Sequence, residues 1–244
     1  MARTELLFLS DTFQWELSTL VSAFDEDENG TYIETNETIF YPGGGGQEPD
    51  KGTVADMPGH VVPVIHVLLI NHHVRLYYEK DQVEFKPGDP VTISIDKDHR
   101  LKNTRLHTGG HLLSSVIYEK LKLPLIPVKG FHYQQGAYVE FEPSEDIPEI
   151  AENNINEALK EDVQRQLKIT TKIVQGDDLL FKQAFKPAGF VIPEDRPLRL
   201  VKIGDYLAYP CGGTHLHHTG ELDFLKIRHI KHKKGKIRIS YEAG

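Results

Sequence analysis

The chain has one cysteine in 244 residues, Cys211, so an internal disulfide is excluded. Long apolar runs are also missing. The longest, residues 61–70, is interrupted by Pro63 and His66, which excludes a membrane-spanning helix. The opening Met1-Ala-Arg-Thr-Glu-Leu-Leu-Phe-Leu-Ser10 lacks the apolar stretch and small-residue cleavage site of a secretory signal. A reduced, cytoplasmic compartment is therefore expected. No short repeat or low-complexity tract occurs, which excludes solenoid and disordered classes. Basic excess is lacking as well. The net charge of −8 argues against broad nonspecific nucleic-acid binding.

The charge is unevenly spread. Residues 224–241 hold seven Lys/Arg and no Asp or Glu. The rest of the chain carries 21 basic against 36 acidic residues, a balance of −15. Such a stretch suits a local phosphate contact, or a lysine-rich strand that guards a sheet edge.

The fold expected is α+β. Up to residue 95 the pattern is short strands between turns, near 6–9, 18–24, 31–33, 61–70, 73–78 and 91–95. That is the signature of a small N-terminal β-barrel. At Asp96 the apolar period lengthens to about 3.6 residues. Asp96 or Asp98 caps a helix running to about residue 122, with Leu106, Gly110, Leu113, Ile117 and Leu121 on one stripe. A strand over 130–142 follows, then a helix from Pro148 to about 167. Strands near 169–174, 198–203, 222–229 and 236–241 and a short helix over 177–185 complete the pattern. Residues 96–244 thus form a second domain with helices packed on an antiparallel sheet.

Two short motifs carry the chemistry. His107-Thr-Gly-Gly-His111 places two imidazoles at i and i+4 of the long helix, about 5–6 Å apart at Cβ. Cys211-Gly-Gly-Thr-His215 repeats the spacing in a tight turn after Pro210. One thiolate and three imidazoles are the donor set of a four-coordinate zinc site. Zinc brings a Lewis acid and, with an open position, an activated water. The position after the first histidine is Thr108, where a zincin peptidase carries its glutamate base, which argues against that class. Gly109 and Gly110 each cost about 1 kcal/mol inside a helix. They imply that something packs close to that backbone.

A third motif is Asn36-Glu-Thr38-Ile-Phe-Tyr-Pro-Gly43-Gly-Gly-Gly46-Gln47. Four glycines in a row free φ and let backbone N–H groups approach a ligand. No Gly-Lys-Ser/Thr follows, so nucleoside triphosphate binding is not expected. Thr38 and Gln47 are small polar groups suited to reading a hydroxyl or carbonyl. The residues alone leave open a zinc hydrolase of a small ester or amide and an RNA-binding module with structural zinc.

In this order the three motifs resemble the alanyl-tRNA editing family, over about residues 1–241. Residues 36–52 are similar to its glycine-rich segment. His107–His111 and Cys211–His215 are similar to its two metal pairs, and Thr219-Gly-Glu-Leu222 to the strand after them. The editing domain of threonyl-tRNA synthetase shares the pairs but lacks the glycine-rich segment. Asn36 stands where the family often has Asp, and Gly235-Lys-Ile-Arg238 where it has Gly-x-Arg-Arg.

The resemblance implies a trans-acting deacylase of Ser-tRNA(Ala), and of Gly-tRNA(Ala), holding one zinc ion on His107, His111, Cys211 and His215. It leaves two roles for the metal, activating water or orienting the substrate. A site shaped for alanine cannot strongly reject serine, so a second, hydrolytic selection is needed. Thr38 is the candidate for bonding the serine hydroxyl, and Gln47 for orienting substrate or water. The basic stretch is the candidate for contact with tRNA phosphates.

Overall fold

The computed structural model describes residues 3–80, 83–145, 150–187, 190–191 and 198–244. The chain packs as two compact units, Met1–Gly44 with Glu48–Leu101, and Gly45–Gln47 with Lys102–Gly244.

The first unit contains β1 (Glu5–Leu6), β2 (Glu16–Asp27), β3 (Gly30–Thr35), β4 (Glu37–Thr38), β5 (Gly52–Asp56), β6 (Val61–Val64), β7 (His66–Ile70), β8 (His73–Tyr78) and β9 (Pro90–Ile95). Seven strands form one antiparallel sheet in the order β6-β5-β9-β2-β3-β8-β7, and β1 pairs in parallel with β4. Alternation decides the buried face. In β9, Val91, Ile93 and Ile95 point inward, where they meet Ile33, Phe40, Val54 and Leu76. The expected 27–30 turn is present, with Asp27 opposite Gly30 and Asn29 N–H donating to Asp27 Oδ1 at 2.8 Å.

Two expectations change. Residues 61–70 are two strands, not one, because β6 pairs with β5 and β7 pairs with β8. Of residues 6–9 only Leu6 is in a strand, because the chain turns at Leu7–Leu9 and Ser10 N–H bonds back to Leu7 O. The base of the glycine loop is pinned by a buried ion pair. Arg100 Nε donates to Asp50 Oδ1 at 2.8 Å, and Asp50 Oδ2 accepts from Tyr41 N–H at 2.6 Å.

Helix α1 (Lys97–Ser115) starts where expected. Asp96 Oδ1 accepts from His99 N–H at 3.0 Å, satisfying an orphan donor of the first turn. The helix runs on into a π segment, Val116–Lys120. Then follow β10 (Leu125–Phe131), β11 (Ala137–Pro143), α2 (Glu152–Gln164), β12 (Ile169–Val174), α3 (Leu179–Gln183), β13 (Leu198–Ile203), β14 (Tyr209–Pro210), β15 (Leu225–Lys233) and β16 (Lys236–Ala243). They build two antiparallel sheets, β10-β11-β16-β15 and β12-β13-β14.

The stretch 130–142 is a hairpin bend and not one strand. Gly136 takes φ +154° and its N–H bonds Tyr133 O at 3.0 Å. The second helix ends near Arg165, before Gln166 turns left-handed at φ +51°. Its expected start at Pro148 lies outside the described residues. Helix and sheet meet where side chains vanish. A Cβ on Gly109 would stand 3.1 Å from Leu225 and 3.3 Å from Ala243. Helix α2 is tied to β15 by Asn156 Oδ1, which accepts from Ile227 N–H at 2.8 Å. The chain is therefore α+β with antiparallel sheets and few helices. No helix among the described residues is long and apolar enough to cross a membrane.

Candidate metal centre

The two dyads converge. One ligand atom from each of His107, His111, Cys211 and His215 lies within 4.8 Å of the other three. Cys211 Sγ is 3.5 Å from His107 Nε2 and 3.3 Å from His215 Nε2. The helix supplies the first pair on one strip. The second pair follows β14, where Arg199 braces the turn by donating to Cys211 O at 3.0 Å and Gly213 O at 2.8 Å. Such a cluster can hold a metal ion.

Each motif also supports a ligand of the other. Gln47 Oε1 accepts from Thr214 N–H at 3.0 Å and lies 2.6 Å from His107 Nδ1. An amide oxygen only accepts, so Nδ1 carries the proton and Nε2 keeps its lone pair toward Cys211. Gln47 Nε2 in turn donates to Thr214 Oγ1 at 2.8 Å, which shares a hydrogen bond with Thr104 Oγ1 at 2.6 Å. Thr108 Oγ1 stands 3.2 Å from His215 Nδ1 and accepts from Leu216 N–H. The threonine inside each motif thus steadies the opposite half. Outer partners of this kind fix tautomer and ring orientation in metal sites.

Burial holds the imidazoles neutral. His107 and His215 are pushed well below the ordinary histidine range, first by desolvation and then by neighbouring histidines. His111 falls to about 4 by desolvation with Arg199 adding to it, and His132 to about 3. Desolvation raises the Cys211 thiol, against the pull of Arg199. Unfolding would let all four histidines take protons near pH 6.5 while the folded chain excludes them. The unfolded state then binds more protons, so stability is lost as pH falls below about 6.5. The metal-free protein is expected to melt progressively lower between pH 6.5 and 5, above the carboxylate range. A melting temperature flat over that window would refute neutral burial of the cluster.

The profile of the threonyl and alanyl tRNA synthetase second additional domain matches residues 198–240, which include Cys211 and His215. Alanyl-tRNA editing protein AlaX-L of Pyrococcus horikoshii is 28% identical over 243 residues, covering 98% of this chain and 58% of that protein. The chain is similar to the alanyl-tRNA editing family along nearly its whole length. Alanine–tRNA ligase of Thermococcus kodakarensis is 29% identical over 99% of this chain and 26% of its own length. The same enzyme of Carboxydothermus hydrogenoformans is 31% identical over 85% of the chain and 23% of its own length. The chain thus spans a little over half of the editing protein and about a quarter of the ligases.

The family motifs fall in both units. Gly43, Gly44, Gly45 and Gly46 all take positive φ, between 54° and 120°, which only glycine adopts without strain. Thr38 ends β4 in the first unit, buried, with Oγ1 accepting from Phe40 N–H at 3.1 Å. Gln47 groups with the second unit and is buried.

Sequence reasoning passed over one residue beside the cluster. His132 stacks on His107, with ring centroids 4.8 Å apart and planes 21° apart. Its backbone N–H donates to Gly46 O at 2.7 Å. Its Nδ1 lies 2.6 Å from Tyr241 Oη, which donates to Leu106 O. Three glycines clear its space. A Cβ on Gly110 would come within 2.2 Å of the His132 ring and one on Gly130 within 2.3 Å, while one on Gly46 would strike Gly130 O. The crowded helix face implied by Gly109 and Gly110 is therefore real, and His132 with Tyr241 is the object pressed on Gly110. The only sequence signal was the glycines themselves.

Proposed function

We propose that this chain is an aminoacyl-tRNA deacylase that hydrolyses Ser-tRNA(Ala), and Gly-tRNA(Ala), in trans and in the cytoplasm. One observation carries the reading: four soft donors share a centre, and their two best-defined imidazoles are held with Nε2 inward. In this reading His107, His111, Cys211 and His215 hold zinc. A tetrahedral ion with Zn–S of about 2.3 Å and Zn–N of about 2.0 Å has S···N edges of about 3.5 Å. The separations of 3.5 and 3.3 Å from Cys211 fit that. Bound zinc would supply a Lewis acid for cleaving the ester between the amino acid and the terminal ribose.

The remaining roles belong to the chain. Gln47 is a positioning residue, because its amide holds His107 and the turn at Thr214. Gln47→Leu removes the acceptor for two donors. It is expected to weaken zinc binding about 10- to 100-fold, as read by competition with a chromogenic chelator. Unchanged zinc affinity would remove Gln47 from this role. Thr38 is the proposed reader of the serine hydroxyl, an assignment that rests on its motif. In the same reading the seven-stranded sheet curls into the barrel expected from sequence. Its end strands β6 and β7 are separated along the chain by Ile65 alone.

The test is release of amino acid from Ser-tRNA(Ala) and Ala-tRNA(Ala). Serine should be released and alanine retained, and no release of serine would overturn the reading. Thr38→Val should shrink the preference by about 5- to 150-fold, the worth of one buried hydroxyl contact at 1–3 kcal/mol. An unchanged preference would take the discrimination away from Thr38.

A further inference from the structure

The four-stranded sheet of the second unit has unlike faces. Val139, Phe141, Ile237, Ile239 and Tyr241 are buried on one. The other carries Phe131 from β10, Tyr138 from β11 and Arg238 from β16, all half-buried, with Tyr133 just beyond β10. These four side chains form a column. Tyr133 stacks on Phe131 at 4.3 Å and 15°, and Phe131 on Tyr138 at 5.1 Å and 18°. The Arg238 guanidinium lies 3.9 Å over the Tyr138 ring. Arg238 faces Lys231 of β15 across the ladder. At about 4.8 Å per strand, the column and its continuation cross roughly 15 Å of sheet.

Beyond Lys231 the β15–β16 hairpin ends in a two-residue turn. Lys233 pairs with Lys236, and Lys234 and Gly235 take φ of 50° and 76°. The shaft of the hairpin is neutralised by Lys226–Glu242 at 2.8 Å, Lys236–Glu142 at 2.8 Å and Arg238–Glu140 at 2.6 Å. The tip is different. Among the described residues no acidic side chain pairs with Lys231, Lys233 or Lys234. A register shift between Ile227 and His229 breaks the inside–outside alternation, and residues 231–235 are all exposed. Edge protection needs only the shaft lysines. It explains neither an unpaired cationic tip nor a ring column on a solvated face.

The open end of the column is Tyr133, on which no further ring stacks among the described residues. Tyr133 is the neighbour in sequence of His132, whose ring lies on the metal-ligand candidate His107. We propose that this sheet face docks the unpaired end of an RNA chain. A nucleobase extends the column on Tyr133, and Lys231, Lys233 and Lys234 take backbone phosphates about 15 Å away. Stacking on an aromatic ring tolerates any base, because every base has a π face, and the lysines add a salt-dependent attraction. The acidic remainder of the chain disfavours RNA elsewhere, which confines the contact to this face. That the RNA is the acceptor end of a tRNA rests on the deacylase reading.

The probe is an uncharged tRNA(Ala) acceptor-stem hairpin with its single-stranded end, followed by fluorescence anisotropy at several salt concentrations. Tyr133→Leu should bind about 5- to 150-fold more weakly with an unchanged salt slope, and Tyr133→Phe should bind as the parent does. Changing Lys231, Lys233 and Lys234 together to Gln should reduce the slope of log affinity against log salt by about 2. That triple variant should still cleave 3′-seryl-adenosine, which has no phosphate, at the parental rate. Parental affinity in Tyr133→Leu together with a parental slope in the triple variant would overturn the proposal, even if Ser-tRNA(Ala) is hydrolysed. If the parent hydrolyses no Ser-tRNA(Ala) yet the variants lose RNA affinity as stated, the deacylase reading fails and the RNA face stands.

Discussion

Cys211→Ala is expected to cut Ser-tRNA(Ala) hydrolysis by about 10³-fold or more and to strip zinc from the purified protein. On giving up its proton to a bound metal, Cys211 would be the one anionic donor in the cluster, and Sγ sits within 3.5 Å of two imidazole nitrogens. A Lewis acid contributes several kcal/mol to charge development at a carbonyl, and each 1.36 kcal/mol is tenfold in rate. The fold should tolerate the change. Among the described residues, Sγ otherwise accepts only a long contact from Gly213 N–H, at 3.4 Å. The metal-free variant should therefore melt within a few degrees of the metal-free parent. Metal analysis, single-turnover hydrolysis and a melting curve decide the matter. Full activity with normal zinc content would remove Cys211 from the site.

The second large effect separates two neighbouring glycines. A Cβ on Gly213 would lie 2.0 Å from His107 Cε1, 2.3 Å from Nδ1 and 2.9 Å from Gln47 Oε1. Gly213→Ala must push His107 out of line, with an overpacking cost of about 1–3 kcal/mol. Zinc affinity and hydrolysis should fall with it, by at least the 10- to 100-fold seen when ligand orientation is lost. Gly212, one residue earlier, is exposed and would meet nothing within 4 Å. Gly212→Ala should change stability by no more than about 0.5 kcal/mol and leave zinc in place. Equal behaviour of the two variants, by melting temperature and metal content, would refute the packing described for this turn.

The glycines show where reading a sequence succeeds and where it stops. Adjacent glycines at 109 and 110 signalled a close approach to the helix, because only a packing demand justifies their cost there. They could not name what approaches. The answer, His132 with Tyr241, comes from chain 22 and 131 residues away from Gly110. The same holds for the run 61–70. Its apolar character was plain, but its division at Ile65 depends on two different partner strands. The bend within 130–142 was hidden because alternation continues on both sides of Gly136.

Local chemistry was enough to determine the four donors, a helix cap at Asp96 or Asp98, the long helix that carries His107 and His111, and the glycine loop. Each is set by spacing along one stretch of chain and by the conformations its residues allow. Tertiary structure alone decided that Gln47 and Thr108 hold the imidazoles, that His132 lies on His107, and that three rings and a guanidinium line up across a sheet. Gln47 reaches His107 across 60 positions, Thr108 reaches His215 across 107, His132 reaches His107 across 25, and Arg238 reaches Tyr138 across 100. Their geometry is fixed by packing and strand register, which no local pattern encodes.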